Sequence, residues 1–204
     1  NIDPVALLEA DRELEADLIQ GFLGGNFSRT PSILSRILDE LWVAREKAKS
    51  DGDKVLSNAI KIIMNSFYGV LGSSGCRFYD TKLASSITMR GHWVLNESKL
   101  WFENKGLAVI YGDTDSIFVC LDDTGFKAED AISLQFELNA WFQQKLTDEF
   151  KLNSKLEMEF ETHFSPFFMP TIRGTDSGSK KRYAGKRVLS DGNSELVVKG
   201  LESV

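Results

Sequence analysis

Apolar residues recur at about every third or fourth position in five stretches of the chain, a spacing that predicts five helices. The first covers residues 4–21, with Val5, Leu7, Leu8, Leu14, Leu18 and Ile19 in the pattern. The second, residues 32–49, carries Ile33, Leu34, Ile37, Leu38, Leu41 and Trp42. Thr30 is placed to cap it, with Pro31 in its first helical position. The third, residues 54–71, turns Leu56, Ile60, Ile63, Met64 and Phe67 inward. Only the turn SDGD (50–53) separates these two helices, so they form an antiparallel hairpin. The fourth runs over residues 81–105 and stops at Gly106; the fifth runs over residues 128–150.

Elsewhere the pattern is that of strands. In LAVIYGDTDSIFVCL (107–121) two apolar, β-branched-rich runs flank GDTD, which reads as a β-hairpin. KLEMEFETHF (155–164) alternates Leu156, Met158 and Phe160 with Glu157, Glu159 and Glu161. KKRYAGKRVL (180–189) and ELVVKGLE (195–202) read as two further strands. GFLGGNFSRTP (21–31) and GTDSGS (174–179) are loops, broken by Gly and Pro. The fold class is therefore α+β: a helical hairpin ahead of a mainly antiparallel sheet with packed helices.

Composition changes this picture little until charge is placed along the chain. With 42% hydrophobic residues among 204, there is enough apolar material for a core, and disorder is excluded as the default. No run of about 18 apolar residues suggests a membrane span, and the acidic start lacks the pattern of a signal peptide. Cys76 and Cys120 stand far apart, outside any CxxC pair, and His92 and His163 complete no metal pattern, so a zinc site is not expected. Two reduced thiols fit a reducing, cytoplasmic setting. The net charge of −6 argues at first against a nucleic-acid partner. Residues 109–172, however, hold twelve acids and four bases, while residues 28–72 and 173–204 each hold seven bases against five and four acids. Basic regions beside an acidic cluster suit a site for a polyanion together with a divalent cation.

Three clusters carry candidate chemistry. Asp113 and Asp115 lie two apart in YGDTDS, so extended backbone points both carboxylates to one side, and a turn brings them closer. Carboxylates on a short hairpin suit Mg²⁺, which takes one or two of them and borrows phosphate oxygens from its substrate; a solvated Asx turn would read the same. Arg45 and Lys49 share a face near the end of the second helix, and Lys61 with Asn65 lies on a face of the third. Measured from the turn, Arg45 and Lys61 differ in depth by roughly 5 Å. The three cations can thus converge on one triphosphate, although three separate surface cations would show the same spacing. In KKRY a strand would send Lys180 and Arg182 one way and Lys181 and Tyr183 the other, a basic edge that, with Lys186 and Arg187, could follow a nucleic-acid backbone.

Taken in order, KIIMNSFYG (61–69), YGDTDS (111–116) and KKRY (180–183) resemble the fingers, second palm carboxylate and KKRY motifs of family B DNA polymerases. The stretches KLASSITMRG, ETHFSPFFMPTIRG and VVKGLE resemble a bacterial branch of that family. The resemblance implies a palm with an antiparallel sheet and a helical-hairpin fingers subdomain: residues 1–25 as a palm-side segment, 26–72 as fingers and 73–204 as palm. It implies that Lys61, Asn65, Arg45 and Lys49 meet the incoming nucleotide, and that Tyr68 and Gly69 pack beside the nascent base pair. Asp115, with Asp113 as its neighbour, would bind catalytic Mg²⁺, and Glu159 sits where some members place a further acid. Lys181, supported by Lys180, Arg182 and Tyr183, would lie along primer–template DNA. Deoxynucleoside triphosphates and DNA are the implied partners, with no membrane and with a sliding clamp engaged through parts outside these residues. The family's other aspartate, in an upstream DxxSLYPS-type motif, has no counterpart here. The expectation is therefore a fingers and partial-palm segment of a DNA-directed DNA polymerase, inactive by itself. Two readings of other classes stay open: a non-catalytic nucleic-acid-binding module, and a metal-dependent phosphoesterase, which lacks a histidine base in any motif.

Overall fold

The computed structural model describes residues 2–12, 17–30, 32–122, 124–171, 174, 178–179, 181–189 and 192–201. It is a mixed helical and sheet fold with small antiparallel sheets, in two compact units, residues 1–93 and 94–204. No described helix is long and apolar enough to cross a membrane.

In the first unit, α1 (Pro4–Ala10) starts at Asp3, whose buried Oδ1 accepts the N–H groups of Val5 and Ala6 at 2.7 and 3.2 Å. The helix is shorter than its apolar periodicity predicts. Residues 13–16 lie outside the described residues, and Ile19–Gln20 is a strand, β1, paired with β2 (Asn26–Phe27). Ile19 opposes Phe27 and both are buried, so the apolar side chain that fits a helical spacing serves a sheet pair instead. The intervening loop is pinned by Ser86: Phe22 N–H donates to its Oγ at 3.0 Å. Gly21 is required there, because a Cβ would fall 2.5 Å from Phe27 and 2.6 Å from Ser86 Oγ.

The second and third helices are α2 (Ile33–Ser50) and α3 (Lys54–Leu71), close to the predicted spans. The N-cap of α2 is Ser32 rather than Thr30, with Ser32 N–H donating to Ser35 Oγ at 3.2 Å; Pro31 lies outside the described residues. Thr30 N–H is instead tied to Ser28 Oγ, two residues before the cap. Asp51 closes α2, Gly52 turns with φ +74°, and Asp53 Oδ1 accepts Leu56 N–H at 2.9 Å to start α3. That link leaves no option but an antiparallel hairpin. Its apolar stripe is only partly covered: Ile60 is buried, whereas Leu56 and Ile63 are exposed.

α4 (Thr81–Asn104) carries residues of both units. In the second unit, β3 (Val109–Asp113) and β4 (Ser116–Val119) form the predicted hairpin. α5 (Ala131–Phe150) follows a short 3₁₀ turn. It buries Leu134, Leu138 and Phe142, one every four residues, and leaves Ile132 and Phe136 exposed, so the apolar face is narrower than the sequence suggests. The ion pair Lys145–Glu97 (3.4 Å) joins α5 to α4, and Lys105, the residue after α4, pairs with Glu137 of α5 at 2.6 Å. Residues 155–159 alternate exposed and half-buried as expected, but Phe160 is exposed and breaks the pattern, and residues 155–162 belong to no sheet. Their backbone is held by side-chain amides of α5: Asn139 donates to Met158 O at 2.9 Å and accepts Met158 N–H at 2.8 Å, and Gln135 accepts Phe160 N–H. The strand begins only at His163, as β5 (His163–Phe168). It pairs with β6 (Tyr183–Val188), and β6 pairs with β7 (Ser194–Lys199), all antiparallel. Gly185 lies under Phe164, where a Cβ would sit 2.8 Å from the ring.

Candidate nucleotide and metal sites

The first unit holds one of the three predicted clusters and the second holds the other two. In the first, α2 and α3 flank an open, shallow pocket of about 420 Å³ lined by Arg45, Lys49, Gly52, Lys54, Ser57, Asn58 and Lys61. The three cations singled out by spacing therefore do converge, because the tight turn fixes the register of the two helices. Four lining residues are cationic and none is acidic. Lys49 Nζ is shared with Glu46 at 2.8 Å on the same helix. The Arg45 guanidinium lies 5.8 Å from the centre of the Trp42 ring, and its buried Nε has no hydrogen-bond partner. Such a donor is costly to leave unpaired. Asn65, one turn beyond Lys61, is exposed and outside the pocket lining. Tyr68 OH lies 2.8 Å from Thr88 Oγ1. The threonine hydroxyl itself donates to Ala84 O, so its oxygen receives the phenolic proton. Gly69 is exposed, and a Cβ there would meet nothing within 4 Å.

The second unit holds the carboxylates. Asp113 and Asp115 flank Thr114, whose φ is +54°, in a two-residue turn in which Asp113 pairs with Ser116. Asp115 is exposed; its Oδ1 accepts the Ser116 hydroxyl at 3.3 Å. Asp113 is half-buried, and its Oδ2 lies 3.6 Å from Lys181 Nζ. Both carboxylates offer hard oxygen donors on one rigid turn, which fits Mg²⁺ completed by water or phosphate oxygens. Among the described residues no three His, Cys, Asp or Glu side chains group as metal ligands, and Glu159, on exposed chain before β5, is not brought to the turn.

Of KKRY, only Tyr183 is strand among the described residues. Lys180 lies outside the described residues, Lys181 has φ +60°, Arg182 is exposed coil, and β6 starts at Tyr183. The strand alternation fails because Gly200 ends the β6–β7 ladder beside Lys181, with room for no side chain: a Cβ would lie 2.3 Å from Lys181 O. Instead Lys181 N–H donates to Tyr111 OH at 2.8 Å, so a residue of β3 places Lys181 next to Asp113. Phe118 supports this arrangement, with ring centres 5.5 Å from Tyr111, 5.3 Å from Tyr183, 5.3 Å from Phe167 and 6.3 Å from Phe164. Burial, then Glu161 and Tyr111, push the Tyr183 phenol above its ordinary value. Arg187 is neutralised across the sheet by Glu195. Sequence reasoning missed Tyr111 as an anchor and Lys54 as a pocket residue. Lys54 precedes Lys61 by two helical turns, and that spacing was the available signal.

Residues 25–204 match the family model described as DNA polymerase family B. The chain belongs to that family. It is 49% identical over 208 aligned positions to DNA polymerase II of Escherichia coli, covering the whole chain and 26% of that protein. It is 29% identical to DNA polymerase 1 of Pyrococcus abyssi, over 85% of this chain and 21% of the relative. The DNA polymerase of Archaeoglobus fulgidus is 32% identical over 72% of this chain and 16% of its own length. The fold matches the solved family B DNA polymerase of Pyrobaculum calidifontis with a TM-score of 0.55 at 24% identity, over 88% of this chain and 22% of that one. The chain thus spans about a quarter or less of the length of these relatives.

Proposed function

We propose that this chain supplies the nucleotide-binding fingers, residues 26–72, and part of the palm, residues 73–204, of a cytoplasmic DNA-directed DNA polymerase. The observation that carries the reading is the pocket in which Arg45, Lys49 and Lys61 converge without an acid among them. These cations hold a deoxynucleoside triphosphate and offset charge that develops on the departing pyrophosphate. Tyr68 and Gly69 flank the base. A helical glycine costs about 1 kcal/mol relative to alanine, and no packing contact in this fold demands Gly69, which leaves space for a bound partner. In the palm, Asp115 and Asp113 are the residues to hold magnesium. That ion supplies positive charge for primer 3′-hydroxyl attack on the triphosphate. Lys181, Arg182 and Tyr183, with Lys180, line the path of the primer–template duplex, where backbone contacts carry no sequence information.

The 204-residue chain alone is expected to show no primer extension, because no stretch of it matches the DxxSLYPS-type motif whose aspartate would complete the metal site with Asp115. Titration with a deoxynucleoside triphosphate, followed through Trp42 fluorescence, tests the pocket. Saturable binding that Lys61→Ala weakens by roughly tenfold supports it, that being the loss of about one charge-assisted contact. Binding unaffected by Lys61→Ala removes the pocket from the reaction.

A further inference from the structure

Lys61, Asn65 and Tyr68 follow Lys54 by seven, eleven and fourteen residues along α3, which places all four on one stripe of the helix. From the hairpin turn inward the stripe reads cation, cation, amide, aromatic. Lys54 and Lys61 are separated by roughly 10 Å of helix axis. That is too long for one phosphate and suits a chain of them. Both lysines line the same pocket, together with Ser57 and Asn58 of the first turns of α3. The charge gradient along a bound triphosphate runs the same way, because a terminal phosphate carries about −1.5 to −2 near neutral pH while internal ones carry less. The positive end of the α3 dipole is also at the Lys54 end.

We infer that Lys54 is the residue for the terminal phosphate, so that the α3 stripe fixes the polarity of the bound nucleotide and lets the pocket distinguish a triphosphate from a diphosphate. This rests on the pocket being the nucleotide site. Lys54 is exposed and stands outside the turn's capping contact, which belongs to Asp53, so its replacement leaves the helix start intact. Arg45 and Lys49 face the pocket from α2; Lys49, three residues before Gly52, is level with the Lys54 end of the stripe but is already shared with Glu46. Lys54 therefore stands at the mouth, in a lining that contains no acid to neutralise it, and adds selectivity for the most highly charged group.

The test measures the affinity of the 204-residue chain for a deoxynucleoside triphosphate and for the matching diphosphate. Lys54→Ala is expected to weaken the triphosphate by roughly tenfold, the size of one charge-assisted contact, and to leave the diphosphate within about twofold. Lys54→Arg restores the preference. Lys61→Ala weakens both ligands. If Lys54→Ala leaves the ratio of the two affinities unchanged while Lys61→Ala weakens both, the pocket stands and the role of Lys54 is overturned. If Lys61→Ala also changes nothing, or the unaltered chain binds neither ligand, the site and the inference fall together.

Discussion

Phe118 is the side chain on which the palm-side site depends. It stands on β4, directly opposite Tyr111, and its ring reaches Phe164 and Phe167 of β5 and Tyr183 of β6. It thereby joins the carboxylate hairpin to the sheet that carries Lys181. Removing a fully buried phenylalanine costs about 3–5 kcal/mol. Phe118 is half-buried, which reduces the transfer part, but it takes part in four ring contacts, each aromatic pair adding about 0.5–1.5 kcal/mol. Phe118→Ala should therefore destabilise the second unit by about 2–3 kcal/mol. With a urea slope of about 1–3 kcal/mol per M, the unfolding midpoint of that unit falls by roughly 1–2 M. Hydrogen exchange read by mass spectrometry should show faster exchange in β3 and β4 while α2 and α3 are unchanged. Asp113→Asn is the matched comparison. It removes a long, largely solvated ion pair worth about 0–1 kcal/mol and should leave the midpoint nearly where it was. A Phe118→Ala midpoint no lower than that of Asp113→Asn would refute the claim that this aromatic cluster holds the hairpin to the sheet.

Asn139→Leu should free residues 155–162 by removing two hydrogen bonds to Met158, costing about 1–3 kcal/mol and accelerating exchange at Met158 N–H. The raised Tyr183 pKa gives a pH dependence of known sign. The unfolded phenol ionises near 10.0 and the folded one higher, so the stability this group contributes is complete below 10 and is lost as pH rises through the folded value. Urea midpoints across alkaline pH should fall less steeply in Tyr183→Phe than in the unaltered chain.

Local chemistry decided what the sequence made legible. The α2–α3 hairpin and the β3–β4 turn were readable because caps and turn residues lie within a few positions of the elements they shape, and Asp51, Gly52 and Asp53 set the pocket's register almost alone. The convergence of Arg45, Lys49 and Lys61 followed from that. Where partners are distant in the chain, the pattern misled. The alternation of residues 155–164 holds only as far as Glu159, and amides of α5 rather than a neighbouring strand hold the backbone there. Ile19 fits a helical spacing but pairs with Phe27. KKRY reads as strand, yet Gly200 and Tyr111, nineteen and seventy positions from Lys181, bend and anchor it. Asp113 was legible as a carboxylate and not as the partner of Lys181, for the same reason.

The most direct measurement is primer extension by a full-length polymerase carrying this segment, with Asp115→Ala compared with the unaltered enzyme at equal occupancy of primer–template DNA. If the exposed acid of the hairpin holds catalytic magnesium, extension is lost while duplex affinity and the unfolding midpoint stay unchanged. Template-directed extension that survives Asp115→Ala at an undiminished rate would contradict the assignment of this turn to catalysis.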